Sequence, residues 1–145
     1  MTVRARKTWV GAGLAGIAFG VLAGSGALAQ GYPAVTLFET DKSVLGEAIV
    51  YPPGKARVTA SIVTLAPGEA TIRHRHGAPF FVYVLEGEIS VDYGSHGTRV
   101  YKAGDSFMEA MAVEHAGTNK SAAPVRLLAV SLGADGVKNL DVDKK

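Results

Sequence analysis

From about Glu47 onward the chain alternates short apolar runs with clusters of glycine, proline and other turn residues, a spacing that suits strands and not helices. EAIVY closes at Pro52, Pro53 and Gly54, RVTASIVTLA at Pro67 and Gly68, and ATIRHRH at Gly77. FFVYVLE then turns at Gly87, ISVDY at Gly94 to Gly97 and TRVYKA at Gly104, while SFMEA, VEHAGTN and VRLLAVSL complete the series. Within RVTASIVTLA, Val58, Ala60 and Ile62 alternate with Arg57, Thr59 and Ser61, the period of a strand with one buried face. FFVYVLE is apolar at both parities, as expected of a strand covered on both sides. No segment combines helical spacing with caps. The pattern predicts an all-β domain of nine or so short strands, an antiparallel sandwich, jelly roll or barrel, preceded by an arm in which AVTLFET reads as an edge strand.

The first thirty residues do not share this pattern. Arg4, Arg6 and Lys7 precede the uncharged stretch TWVGAGLAGIAFGVLAG, and Ala27 and Ala29 form a small-x-small cleavage site. This reads as a secretory signal peptide, residues 1–29, cut after Ala29. The competing reading is an uncleaved anchor, against which its glycine-rich, weakly hydrophobic core argues. Export to the periplasm or the medium is the expectation, with no membrane attachment after cleavage. Residues 30–56 are then an arm with the first strands, 57–134 the barrel and 135–145 a polar tail.

Removing the leader changes the charge. The whole chain is +2, but loss of three basic residues leaves twelve Lys and Arg against thirteen Asp and Glu, a net of −1. A mature domain without a basic stripe gives no support to nucleic acid or anionic membrane as a partner. The chain has no cysteine, which excludes disulfides, thiolate ligands and a cysteine nucleophile together.

Among the four histidines, His74 and His76 stand two apart, and on an extended segment they share a face while Arg73 and Arg75 take the other. Two imidazoles on one face suit a single transition metal, and they equally suit a solvated strand edge. His115 follows a strand-like segment, with Asn119 four residues on, and His96 lies between glycines at a hairpin tip, where we expect it exposed and idle.

Two separated segments carry a family resemblance. Gly68, five residues, His74-x-His76, three residues, position 80, six residues and Gly87 follow the first motif of the cupin superfamily; Gly104, Ala110, Ala112, His115 and Asn119 fall at the places of the second. The chain therefore resembles a small single-domain cupin over Gly68 to Asn119. The resemblance implies an antiparallel double-stranded β-helix, a jelly-roll barrel, with His74, His76 and His115 as metal ligands. Pairing into a homodimer through edge strands, with the arm contributing, is a further implication.

One position departs from the motif. Phe80 stands where the family has a metal-binding glutamate, and phenylalanine has no donor atom. Three outcomes are open: a three-histidine site, recruitment of another carboxylate, or loss of the metal. Glu109 is the first candidate for recruitment, because alternation puts it on the face of Phe107, and a carboxylate inside an apolar barrel needs a partner or a metal. Glu114 should point away. Phe80, with Val82 and Phe107, is expected to wall the pocket; Tyr83 is expected in the core, and Asn119 to bond the backbone.

The chemistry so implied is an exported mononuclear cupin with one divalent transition metal (Fe, Mn, Ni, Zn or Cu), acting on a small organic molecule as the three-histidine dioxygenases of the superfamily do. Glu109 would serve as ligand or general base. The alternative is a binding module that holds a metal or a small ligand without turnover. The fold cannot choose between them.

Overall fold

In a computed structural model, the structure describes residues 33–142; the leader with its cut after Ala29, and residues 143–145, lie outside the described residues. Seven strands are present among them: β1 (Ala56–Leu65), β2 (Phe80–Glu86), β3 (Glu88–Asp92), β4 (Thr98–Lys102), β5 (Ser106–Met108), β6 (Ala116–Thr118) and β7 (Val125–Ala134). A single 3-10 turn, Gly94–His96, closes the β3–β4 hairpin and leaves His96 exposed, as the sequence indicates. The strands form a four-stranded sheet ordered β1-β7-β2-β5 and a three-stranded sheet ordered β4-β3-β6, with every pairing antiparallel. This is the all-β jelly-roll barrel that the resemblance implies, with seven strands among the described residues where the spacing of the runs predicts nine or so.

The inner faces of the two sheets meet in one core. Val82, Val84, Phe107 and Leu127 come from the larger sheet, Ile89 and Val91 from the smaller, with Tyr93 just after it. The β2-to-β3 turn depends on Gly87, whose φ of +77° suits glycine and whose missing side chain lets the Pro124 carbonyl approach; a Cβ there would lie 2.8 Å from that oxygen.

Strand β1 differs from expectation. Its apolar alternation, Val58, Ala60 and Ile62, faces outward, with Val58 and Ile62 at 66% and 52% exposure. The inward parity is that of Val63 and Leu65, since Val63 pairs with Leu127 and lines the barrel cavity. Periodicity fixes which residues share a face but not which face is inside. Nor does AVTLFET form a strand: those residues carry no regular structure, and the arm contributes only an isolated bridge, Lys42 to Ala48.

The histidine segment is not a regular strand. Residues 70–76 join their neighbours through single bridges, Ala70 to Thr118 and His74 to His115 on one side and Arg75 to Asp141 on the other. The residues after Ala134, expected to be a polar tail, therefore fold back as a strap. Arg75 and Asp141 exchange both backbone hydrogen bonds at 2.9 Å, and the Ser131 hydroxyl donates to Asn139 Oδ1 at 2.8 Å.

Candidate metal centre

His74 and His115 face each other across the bridge, their backbones bonded both ways at 3.0 Å, and His76 follows two residues on with its ring edge-on to that of His74. All three are buried. Their ligand atoms lie within 4.8 Å of one another, and they form the one group of three or more such residues among those described.

The hydrogen bonds of the rings decide how they can be used. His74 Nδ1 donates to the Ile72 carbonyl at 2.7 Å, His115 Nδ1 to the Val113 carbonyl at 2.9 Å, and His76 Nδ1 to the Asn139 carbonyl at 3.0 Å. A carbonyl can only accept, so each Nδ1 carries the hydrogen and each Nε2 keeps a lone pair. Two of those lone pairs, on His76 and His115, face each other at 3.3 Å. Two neutral acceptors at that distance repel unless they share a cation, and 3.3 Å matches two nitrogens each about 2.1 Å from one ion. The residues present therefore fit a metal.

Electrostatics agree. Burial holds all three imidazoles below their ordinary pKa, against the opposing carbonyl bonds, and brings His76 down to about 3. The rings are neutral, the form that binds metal.

Glu109 is buried and faces the cavity beside Phe107, as alternation indicates. Its Oε2 lies 3.8 Å from His115 Nε2, but it is not in the three-histidine group. The β2–β5 ladder pairs Phe81 with Met108 and Val82 with Phe107, and the Glu109 amide donates to the Phe80 carbonyl at 2.8 Å. Glu109 thus stands across the ladder from the motif position that Phe80 occupies. Burial pushes its carboxyl up to about 7, against hydrogen bonds from Tyr93 and the Ala110 amide. Phe80 stacks on His76 with ring centroids 4.0 Å apart and, with Val82, walls the cavity. Glu114 points away and pairs with Arg75, and Asn119 bonds the Leu65 and Ala123 carbonyls. Tyr83 does not reach the cavity.

Several supporting groups escape the sequence reading. Tyr93 lies fully buried between Glu109 and Tyr101, its hydroxyl 3.3 Å from that of Tyr101; the inward parity of Ile89 and Val91 extends to it. Glu47 of the arm accepts the amides of Met111 and Ala112 at 2.8 Å each, fixing the loop whose Val113 carbonyl holds His115. Burial alone would raise the Glu47 carboxyl, but these bonds and that of Ser43 hold it below the usual range. Asn139 acts through its backbone, which leaves no signal in a residue pattern.

The cavity itself measures about 320 Å³ and runs from the histidines between the sheets. A jelly roll that gathers an H-x-H pair and a distant histidine at the end of an internal cavity defines a class of histidine-site barrels. Residues 61–131 match a family model described as Cupin domain. The polyketide cyclase RemF of Streptomyces resistomycificus is similar in structure at a TM-score of 0.51 and 22% identity, over 67% of this chain and 70% of that one. The oxalate decarboxylase of Lactobacillus farciminis, in its formate complex, is similar at a TM-score of 0.50 and 23% identity, over 59% of this chain but only 26% of the enzyme's length. At these identities the likeness is one of fold. No curated protein matches the chain in sequence.

Proposed function

We propose that the barrel holds one divalent transition metal on His74, His76 and His115, and that it acts on a small organic molecule there as an oxidoreductase of the dioxygenase type. The observation that carries this reading is the convergence of three buried Nε2 lone pairs whose Nδ1 hydrogens are already spent on carbonyls. Fe, Mn, Ni, Zn and Cu all accept imidazole nitrogen. When bound, such a metal supplies Lewis acidity and, where redox-active, electron transfer with O₂.

The chain's own residues supply the rest. The cavity borders the three imidazoles and offers room there for a ligand, with Phe80 and Phe107 among its apolar walls. Glu109, 3.8 Å from His115 Nε2, is placed to take a proton from a hydroxyl or thiol seated beside the histidines. The leader read in residues 1–29 supports export of the mature domain.

The test is metal analysis of the purified mature protein. We expect about one transition metal per chain, and its loss in His76→Ala combined with His115→Ala, with the fold checked by circular dichroism. Unchanged metal content in the folded double variant would sink the site.

A further inference from the structure

Sixteen residues line the cavity, and none of them is lysine or arginine. The walls are aliphatic and aromatic: Val82, Phe107 and Leu127 from one sheet, Ile89 and Val91 from the other, and Leu140 of the strap at the mouth. The polar side chains of the lining are the three histidines, the one carboxylate, Glu109, and Thr71, whose hydroxyl accepts the Gly117 amide at 3.0 Å. The arginines nearest in sequence are engaged elsewhere. Arg73 pairs with Asp92 at 2.7 Å and donates to the Glu114 carbonyl, while Arg75 pairs with Glu114 at 3.7 Å.

We infer that the ligand of this cavity is a small uncharged organic molecule with an apolar body and one metal-binding oxygen or sulfur, and that dicarboxylates and phosphates are selected against. The inference rests on the metal-site reading above. A ligand that spends its single polar end at the histidines leaves its body against Ile89, Val91 and Leu127, where burial is favourable. A second anionic group would have to lie on the same apolar walls, with no lysine or arginine in the lining to pair it. By volume the cavity holds about ten waters, or a ligand of roughly ten to fifteen non-hydrogen atoms.

The probes are n-alkyl hydroxamic acids of two to six carbons and the straight-chain dicarboxylates of matching length, added to cobalt-loaded protein. Binding is read from the visible cobalt bands and from the melting temperature. Affinity should rise about fourfold for each added methylene. Dicarboxylates and inorganic phosphate should bind about tenfold or more weakly than the hydroxamate of equal length. Leu140→Arg, a change at a half-exposed rim position, should strengthen dicarboxylate binding about tenfold. A flat hydroxamate series, or dicarboxylates binding as tightly as hydroxamates, would overturn the inference. Absence of cobalt bands would instead overturn the metal site. The melting temperatures of metal-free protein with the same compounds then still judge the cavity: a rise with chain length upholds its apolar selectivity, and a flat series refutes it.

Discussion

Replacing Gly77 by alanine tests whether the strap controls the metal centre. Gly77 does not have positive φ, so alanine brings no backbone strain there; what it brings is a methyl group 2.5 Å from the Lys138 carbonyl oxygen. That neighbour is backbone and cannot rotate away. Reaching even 3.0 Å, the lower edge of real contacts, requires the segments to part by about 0.5 Å. The adjacent His76 Nδ1 to Asn139 bond is 3.0 Å long, and the same displacement takes it to about 3.5 Å, where a hydrogen bond is nearly spent. Overpacking should cost about 1–3 kcal/mol of stability. Loss of the carbonyl that orients a ligand histidine should lower metal affinity about 10- to 100-fold. The assay is zinc affinity by competition with a chromophoric chelator, on protein shown by urea unfolding to be folded. Lys138→Ala, which leaves the carbonyl in place, is the control and should bind within about twofold of wild type. A folded Gly77→Ala protein with wild-type zinc affinity would refute the reasoning.

Glu109→Gln in metal-free protein should change the pH profile of stability. A carboxyl raised from 4.5 to about 7 keeps its proton in the folded state while the unfolded chain has released it, so its contribution is lost as pH rises through 7. Between pH 8 and pH 5 the wild type gains about 2–3 kcal/mol from this group. Lowered histidines act the other way: the unfolded chain takes up protons below pH 6.5 and the folded site does not, so stability falls, by about 2 kcal/mol at pH 5 from His76 alone. The variant should therefore lose about 2–3 kcal/mol more than wild type on that descent, and equal slopes in urea titrations would contradict it. Glu47→Ala should cost about 2 kcal/mol and weaken zinc binding through the loop that holds Val113, whereas a loss of stability with full affinity would assign Glu47 to the fold alone. Gly87→Ala meets both the φ of +77° and the Pro124 carbonyl, so thermal unfolding should show a loss of about 2 kcal/mol or more; a loss below about 0.5 kcal/mol would disprove the turn argument.

The site was legible where its chemistry depends on covalent spacing. His74 and His76 share a face because extended backbone alternates, and His115 falls at its motif place. Glu109 was legible as an inward carboxylate from the position of Phe107, but its place opposite Phe80 depends on the β2–β5 register, which no local pattern carries. The outward face of Val58 and Ile62 is not legible in the sequence, because alternation has no sign until a partner sheet is known. AVTLFET has strand-forming residues and no ladder to join, and propensity alone does not make a strand. Asn139 could not be found, because its contribution is a main-chain oxygen that any residue would carry.

The strap also imposes an order of events. Two ligand histidines are oriented by carbonyls two residues upstream in the chain, so their local geometry is written where they are made. His76 waits for an acceptor 63 residues later. A chain folded only as far as His115 holds all three imidazoles and still lacks the atom that aims one of them. A metal held as proposed would be captured firmly only once β7 and the strap have docked, so that loading would report a finished barrel.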